Sequence, residues 1–190
     1  ETWLEHIPER YRDAETTSPE VSSRVARLQQ GVTTGSSLLL IGPMGCGKTW
    51  RAYAYARQVI EARIFKPEQV RIGSEKVMLS DIDNASKWGE NCATDRLRKL
   101  FDPGVRMYVI DDVGTGTQCT NNARRQALWA LLIDRVYSSD DGTSGSGGTT
   151  LVLTTNLSPA KYTRDAFGQQ EDGELRAWVG ARLAAFKVPV

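Results

Sequence analysis

Gly42-Pro43-Met44-Gly45-Cys46-Gly47-Lys48-Thr49 is a complete Gly-x-x-x-x-Gly-Lys-Thr phosphate loop. Its three glycines free the backbone to curl so that successive N–H groups point inward at a polyphosphate. Lys48 is placed to reach the β- and γ-phosphates, and the Thr49 hydroxyl to ligate Mg²⁺. Such a pattern arises by chance in a chain of this length about once in a hundred. The flanks lower that chance further. Ser37-Leu38-Leu39-Leu40-Ile41 is a short apolar run of strand type. Trp50 to Arg63 carries no Gly or Pro and predicts a helix whose N-terminus faces the anion. Pro43, Met44, Gly45, Cys46, Gly47, Lys48, Thr49 and Trp50 are therefore the first candidates for nucleotide contact.

Outward from the loop, strand-like and helix-like segments alternate. Residues 20–31 predict a helix opened by Pro19 and Glu20, spaced by Val21, Val25 and Leu28, and ended by Gly31. Val70 to Gly73 predicts a second strand, and residues 79–100 a largely helical stretch interrupted near Gly89. Arg106 to Asp111 predicts a third strand. Asn122 to Tyr137 predicts an amphipathic helix carrying Leu128, Leu131, Leu132, Val136 and Tyr137 on its apolar side. Thr150 to Thr154 predicts a fourth strand. Pro159 to Tyr162 and Glu174 to Ala185 read as helical, and Phe186 to Val190 as extended. Strands that are apolar throughout, alternating with helices, imply a parallel sheet covered on both faces. Ser138 to Gly148 is polar and Gly/Ser-rich, a surface loop within one domain.

Composition sets the outer bounds. The 190 residues are 40% apolar and 25% charged, ordinary for a globular domain, and the net charge of +1 gives no global field toward nucleic acid or membrane. No apolar run approaches the ~20 residues of a membrane span, and the N-terminus lacks a signal-peptide pattern. Cys46, Cys92 and Cys119 are scattered and odd in number, which fits a reducing cytoplasm better than a disulfide framework. His6 is the single histidine, so a histidine-based triad and a multi-histidine metal site are both excluded.

Two more strand ends complete the chemistry. Met107-Tyr108-Val109-Ile110-Asp111-Asp112 is an apolar strand ending in two carboxylates. With a phosphate loop upstream, Asp111 is the candidate partner of Mg²⁺ and Thr49, and Asp112 the candidate general base that polarises the attacking water. Leu151-Val152-Leu153-Thr154-Thr155-Asn156 ends in Asn156. Parallel strands present their C-terminal ends to the ligand crevice, so Asn156 is a candidate contact to that water or to the γ-phosphate.

Phosphate loop, paired aspartates and strand-end asparagine together resemble an AAA+ ATPase. The resemblance narrows to the DnaC/IstB family of helicase loaders and transposition ATPases. Ile7-Pro8-Glu9-Arg10-Tyr11-Arg12-Asp13-Ala14 is similar to that family's Ile-Pro-x-Arg-Tyr-Arg-x-Ala segment, and Val109 to Gly114 to its Ile-Asp-Asp-Leu-Gly. Ile133 to Tyr137 resembles its Asn-Arg-Arg-Tyr helix end, and Thr154 to Leu157 its Thr-Thr-Asn-Leu. The matches run in order from residue 7 to about residue 186.

The resemblance implies a three-layer P-loop NTPase fold with a parallel central sheet of AAA+ type and no separate lid domain. It implies one ATPase domain over 1–190: a segment and helix over 1–36, then a core and arginine-finger region over 37–190. It implies ATP and Mg²⁺ as cofactors, and Ile7 and Tyr11 as packing against the adenine. Gly180-Ala181-Arg182-Leu183 resembles the family's Ser-Arg-Leu, which makes Arg182 the arginine finger toward a neighbouring subunit, with Arg176 as the alternative. Arg135 is a candidate for a nucleotide, neighbour or ion-pair contact. The implied partners are DNA, single-stranded in the first instance, a replicative helicase or a transposase, and further copies of the chain in a ring or filament. Arg96, Arg98 and Lys99, with Arg124 and Arg125, are candidate phosphate contacts. Trp50, Trp88, Trp129 and Trp178 are candidates for base stacking, against the commoner role of core packing. A nucleotide-gated interaction module with weak hydrolysis is the alternative outside this class.

Overall fold

The computed structural model describes residues 7–33, 35–86, 102, 104–114, 128–133, 136, 148–156 and 187–189. In chain order these form α1 (Pro19–Gln29), β1 (Leu38–Ile41), α2 (Lys48–Glu61), β2 (Val70–Ser74), α3 (Glu75–Ser86), β3 (Met107–Asp111), β4 (Thr150–Thr155) and β5 (Lys187–Pro189). Residues 128–133 and 136 are also helical, and Glu9–Tyr11 makes a single 3-10 turn.

The five strands form one sheet in the order β2-β3-β4-β1-β5, and every pairing is parallel. The strands lack polar alternation because both sheet faces are covered. Leu38, Leu40, Met107, Val109 and Val152 pack on Val21 and Leu28 of α1 and on Ala52, Tyr55, Ala56 and Val59 of α2. Leu39, Tyr108, Ile110, Leu151 and Leu153 face the other way, onto Met78 and Leu79 of α3 and onto Leu128, Trp129, Leu132 and Ile133. Register sorts the faces: Val152 stands between Leu38 and Val109, and Leu153 between Leu39 and Ile110. Each buried aliphatic side chain contributes roughly 1.5–3 kcal/mol. That exceeds the about 1–2 kcal/mol of backbone entropy lost in fixing one residue. Helices on both faces of a parallel sheet give the three layers that the sequence implies.

Three expectations change. The helix after β2 begins at Glu75 rather than near residue 79, because the strand passes straight into it. Ser74 Oγ accepts the Val77 N–H at 3.3 Å, an N-cap that needs no intervening loop. Leu131 is not on the apolar stripe: it is 45% exposed, whereas Leu128, Trp129, Leu132 and Ile133 are buried. Those four share one helical face, and residue 131 falls on the opposite side. Trp129 is wholly buried in the core, so it offers no surface for a base. Of the other proposed elements, residues 87–100, 115–127, 159–162 and 174–185 lie outside the described residues.

α1 and α2 end alike but with different residues. Gly31 at φ 76° closes α1: its N–H bonds Leu28 O at 3.0 Å, and the Val32 N–H bonds Arg27 O at 3.0 Å. Arg63 at φ 56° closes α2: its N–H bonds Ile60 O at 2.9 Å, and the Ile64 N–H bonds Val59 O at 3.0 Å. This is a Schellman cap, whose left-handed position favours glycine. Arg63→Gly should therefore stabilise the fold by about 0.5–1 kcal/mol, a rise of roughly 1–3 °C in Tm. Thermal unfolding checks it, and an unchanged or lower Tm would refute the assignment of strain to Arg63.

Candidate functional site

All strands run the same way, so the C-terminal ends of β1, β3 and β4 open on one edge of the sheet. The phosphate loop leaves β1 there. Gly45 and Gly47 take φ of 82° and 85°, and a Cβ at either would meet nothing within 4 Å. Backbone conformation, not space, thus demands glycine at both positions. Gly47 is the N-cap of α2, so the first turn of a 14-residue helix directs its N–H groups into the loop. Lys48, the first residue of α2, is 94% buried, and its Nζ donates to Pro43 O at 2.6 Å and lies 3.6 Å from Cys46 Sγ. The ammonium is therefore held inside the loop, where it would face the charge of a bound phosphate.

Thr49 links the loop to β3: its Oγ1 donates to Asp111 Oδ1 at 2.9 Å. β4, lying between β1 and β3, supplies the next connections. Thr154 Oγ1 donates to the same Asp111 oxygen at 2.5 Å and accepts the Asp112 N–H at 2.9 Å. The Val113 N–H bonds Thr154 O at 2.8 Å, and Thr155 Oγ1 donates to Val113 O at 2.7 Å. Asn156 Nδ2 donates to Asp112 Oδ1 at 3.0 Å. Asp112 itself sits at φ 59°, a left-handed conformation that aspartate tolerates better than most side chains. A left-handed residue so clamped next to a phosphate loop makes the turn after β3 a candidate functional element.

On the other side of the loop stands an aromatic wall. Tyr11 stacks on Tyr53 with ring centroids 4.6 Å apart and meets Trp50 edge-on at 6.5 Å. The Arg10 guanidinium lies 4.6 Å from the Tyr11 ring centre. Trp50 is fixed by donating Nε1–H to Glu15 O at 2.8 Å. Burial, assisted by the nearby Asp111 carboxylate and Tyr11, pushes the Tyr53 hydroxyl up to about 12, so Tyr53 stays neutral through the physiological range.

These groups line a cleft of about 500 Å³, within the range of small-molecule pockets. Tyr11, Met44, Gly45, Gly47, Lys48, Thr49, Trp50, Asp111, Asp112 and Asn156 all reach it. Arg10 and Thr154 reach it too, and neither was singled out from sequence. Thr154 had one usable signal: it opens the polar end of an otherwise apolar strand. Ile7 does not line the cleft; it is 1% exposed and packs with Ala14, Tyr53 and Ala54 beneath the aromatic wall. Pro43 contributes its carbonyl to Lys48, and Cys46 is half-buried. Arg135, Arg176, Arg182, Trp88, Trp178 and the clusters at 96–99 and 124–125 lie outside the described residues. No described helix is long and apolar enough to cross a membrane.

The sequence profile of IstB-like ATP-binding proteins matches residues 11–171, a span that holds the phosphate loop, both aspartates and Asn156. The chain belongs to that family. No curated protein sequence matches it. Among solved structures, it resembles the replication initiator DnaA bound to AMPPCP and single-stranded DNA, with TM-score 0.60 and 14% identity over 96% of this chain and 50% of that one. Domain III of DnaA from Thermotoga maritima gives TM-score 0.56 and 18% identity over 96% and 67%. AMPPCP-bound DnaA from Aquifex aeolicus gives 0.60 and 16% over 90% and 44%. At such identities the likeness is one of fold. The chain spans about half the length of the first of these proteins. The chain thus pairs an IstB-like ATP-binding sequence with a fold of AAA+ type.

Proposed function

We propose that this IstB-like protein hydrolyses ATP as an assembly switch on DNA, associating head to tail to load or remodel a replicative helicase. One observation carries the hydrolytic part. The phosphate loop, Asp111, Asp112 and Asn156 form a continuous hydrogen-bonded network through Thr49 and Thr154. Lys48 and the α2 N–H groups bind the phosphates. Asp112 takes the proton of the attacking water, and Asn156 orients the Asp112 carboxylate. Thr49 and Asp111 offer hard oxygen donors suited to Mg²⁺, which usually takes only one or two carboxylates. Bound there, Mg²⁺ would offset phosphate charge. Tyr11 and Trp50 form the wall for the base, with Ile7 supporting it from below. Arg182, or alternatively Arg176, is the finger a neighbouring copy inserts to stabilise γ-phosphate charge.

The match to IstB-like proteins favours a second reading, in which the same ATPase assembles on duplex DNA and recruits a transposase. Light scattering with and without a non-hydrolysable ATP analogue, on single- and double-stranded DNA, separates the two. Nucleotide-dependent growth on single strands supports the helicase reading, and growth on duplex the transposition reading. A monomer under every condition overturns head-to-tail assembly and the arginine finger with it.

A further inference from the structure

Glu75 is a buried carboxylate that the proposed chemistry does not use. It is the first residue of α3 and 0% exposed. One oxygen, Oε2, accepts the Gly114 N–H at 2.8 Å. The other, Oε1, accepts Trp129 Nε1–H at 2.8 Å. Trp129 is itself wholly buried. A glutamate in such a place carries a large desolvation cost, which only well-directed donors offset.

Gly114 ends the turn that carries Asp112. That turn is held from β4 at Asp112 and Val113. At Gly114 the hold comes from the opposite side, from Glu75. Gly114 lies at φ 87°, so the turn contains two left-handed residues, Asp112 and Gly114, separated only by Val113. Such a turn has few intrinsic reasons to keep its shape, and contacts at both ends must impose it.

We infer that Glu75 is a positioning residue for Asp112, fixing the hydrolytic turn from the helical side and tying it through Trp129 to the helix that contains residues 128–133. This rests on the reading of Asp112 as the group that activates water. Glu75 does not line the cleft and acts on it through the turn.

Glu75→Gln replaces one acceptor oxygen by an amide donor, so one of the two N–H groups loses its acceptor. In steady-state assays on the DNA-assembled protein, kcat should fall about tenfold, corresponding to one misdirected buried hydrogen bond, with nucleotide affinity within about twofold. Amide exchange at Gly114 should accelerate while that of α2 does not. The double variant Glu75→Gln with Trp129→Phe removes the tryptophan donor, letting the one remaining carbonyl oxygen serve Gly114. It should recover most of kcat, a recovery that loss of fold stability would not produce. Should Glu75→Gln fail to fold, Glu75→Asp, which keeps the charge but withdraws the carboxylate by one methylene, carries the same test: kcat should fall and Gly114 exchange accelerate, and no change in either would overturn the inference. Unchanged kcat and Gly114 exchange in the folded variant would overturn the inference while leaving the ATPase reading intact. Absence of hydrolysis in the wild type, or full activity in Asp112→Asn, would overturn both.

Discussion

Lys48→Ala should weaken ATP binding roughly a hundredfold and with it abolish turnover at ordinary nucleotide concentrations. The size of the effect follows from burial. Lys48 is 6% exposed, so its ammonium acts on a phosphate with little screening by solvent. A charge-assisted hydrogen bond to a buried anion contributes about 1.5–3 kcal/mol, and a second phosphate contact adds to it. The substitution also releases Pro43 O, now held at 2.6 Å, and so loosens the loop itself. Trp50 lines the same cleft and gives a direct readout. Nucleotide should alter Trp50 fluorescence in the wild type but not in Lys48→Ala, with Trp50→Phe as the blank for the other tryptophans. An affinity in Lys48→Ala equal to wild type would remove the phosphate loop from the binding site.

Asp112→Asn should do the reverse. Binding should stay within about twofold, while single-turnover phosphate release falls by about 10²–10⁴. Asparagine is a clean replacement here. It tolerates the left-handed backbone of position 112 as aspartate does. Its carbonyl oxygen can still accept the Asn156 N–H, so the network around it survives. What it lacks is the charge that draws a proton from water. The pair of variants separates holding ATP from cutting it. Wild-type turnover in Asp112→Asn would place water activation on another group.

The sequence made the sheet legible because burial on both faces demands unbroken apolar runs, and residues 38–41, 107–110 and 151–153 are such runs. The phosphate loop, the aspartate pair and Asn156 were legible because each follows such a run directly, and a parallel sheet brings those ends together. Glu75 left no comparable trace. Its partners, Gly114 and Trp129, are 39 and 54 residues away, and one acidic residue at a helix start looks like ordinary favourable placement near the helix dipole. Thr154 left only a faint trace, as the start of a strand's polar end, since only the insertion of β4 between β1 and β3 gives it Asp111 as neighbour. Leu131 was misplaced because an apolar residue one step off the stripe reads as part of it. Ile7 belonged to a motif whose other member, Tyr11, does reach the cleft, but its own side chain turns into the core.

The strand order has a consequence for how the chain comes to be folded at all. β4 occupies the middle of the sheet, yet more than a hundred residues of chain separate it from β1. During synthesis, β1 and β3 therefore emerge without their shared neighbour and cannot be joined in one sheet until residue 155 has been made. Contacts so distant in sequence slow the search, and the two open strand edges are exposed to wrong pairing meanwhile. The same insertion brings Thr154 and Asn156 to the aspartates. A nascent or truncated chain ending before β4 would thus own a phosphate loop and both aspartates but neither Thr154 nor Asn156, and those partners would arrive in the same step that joins β1 to β3.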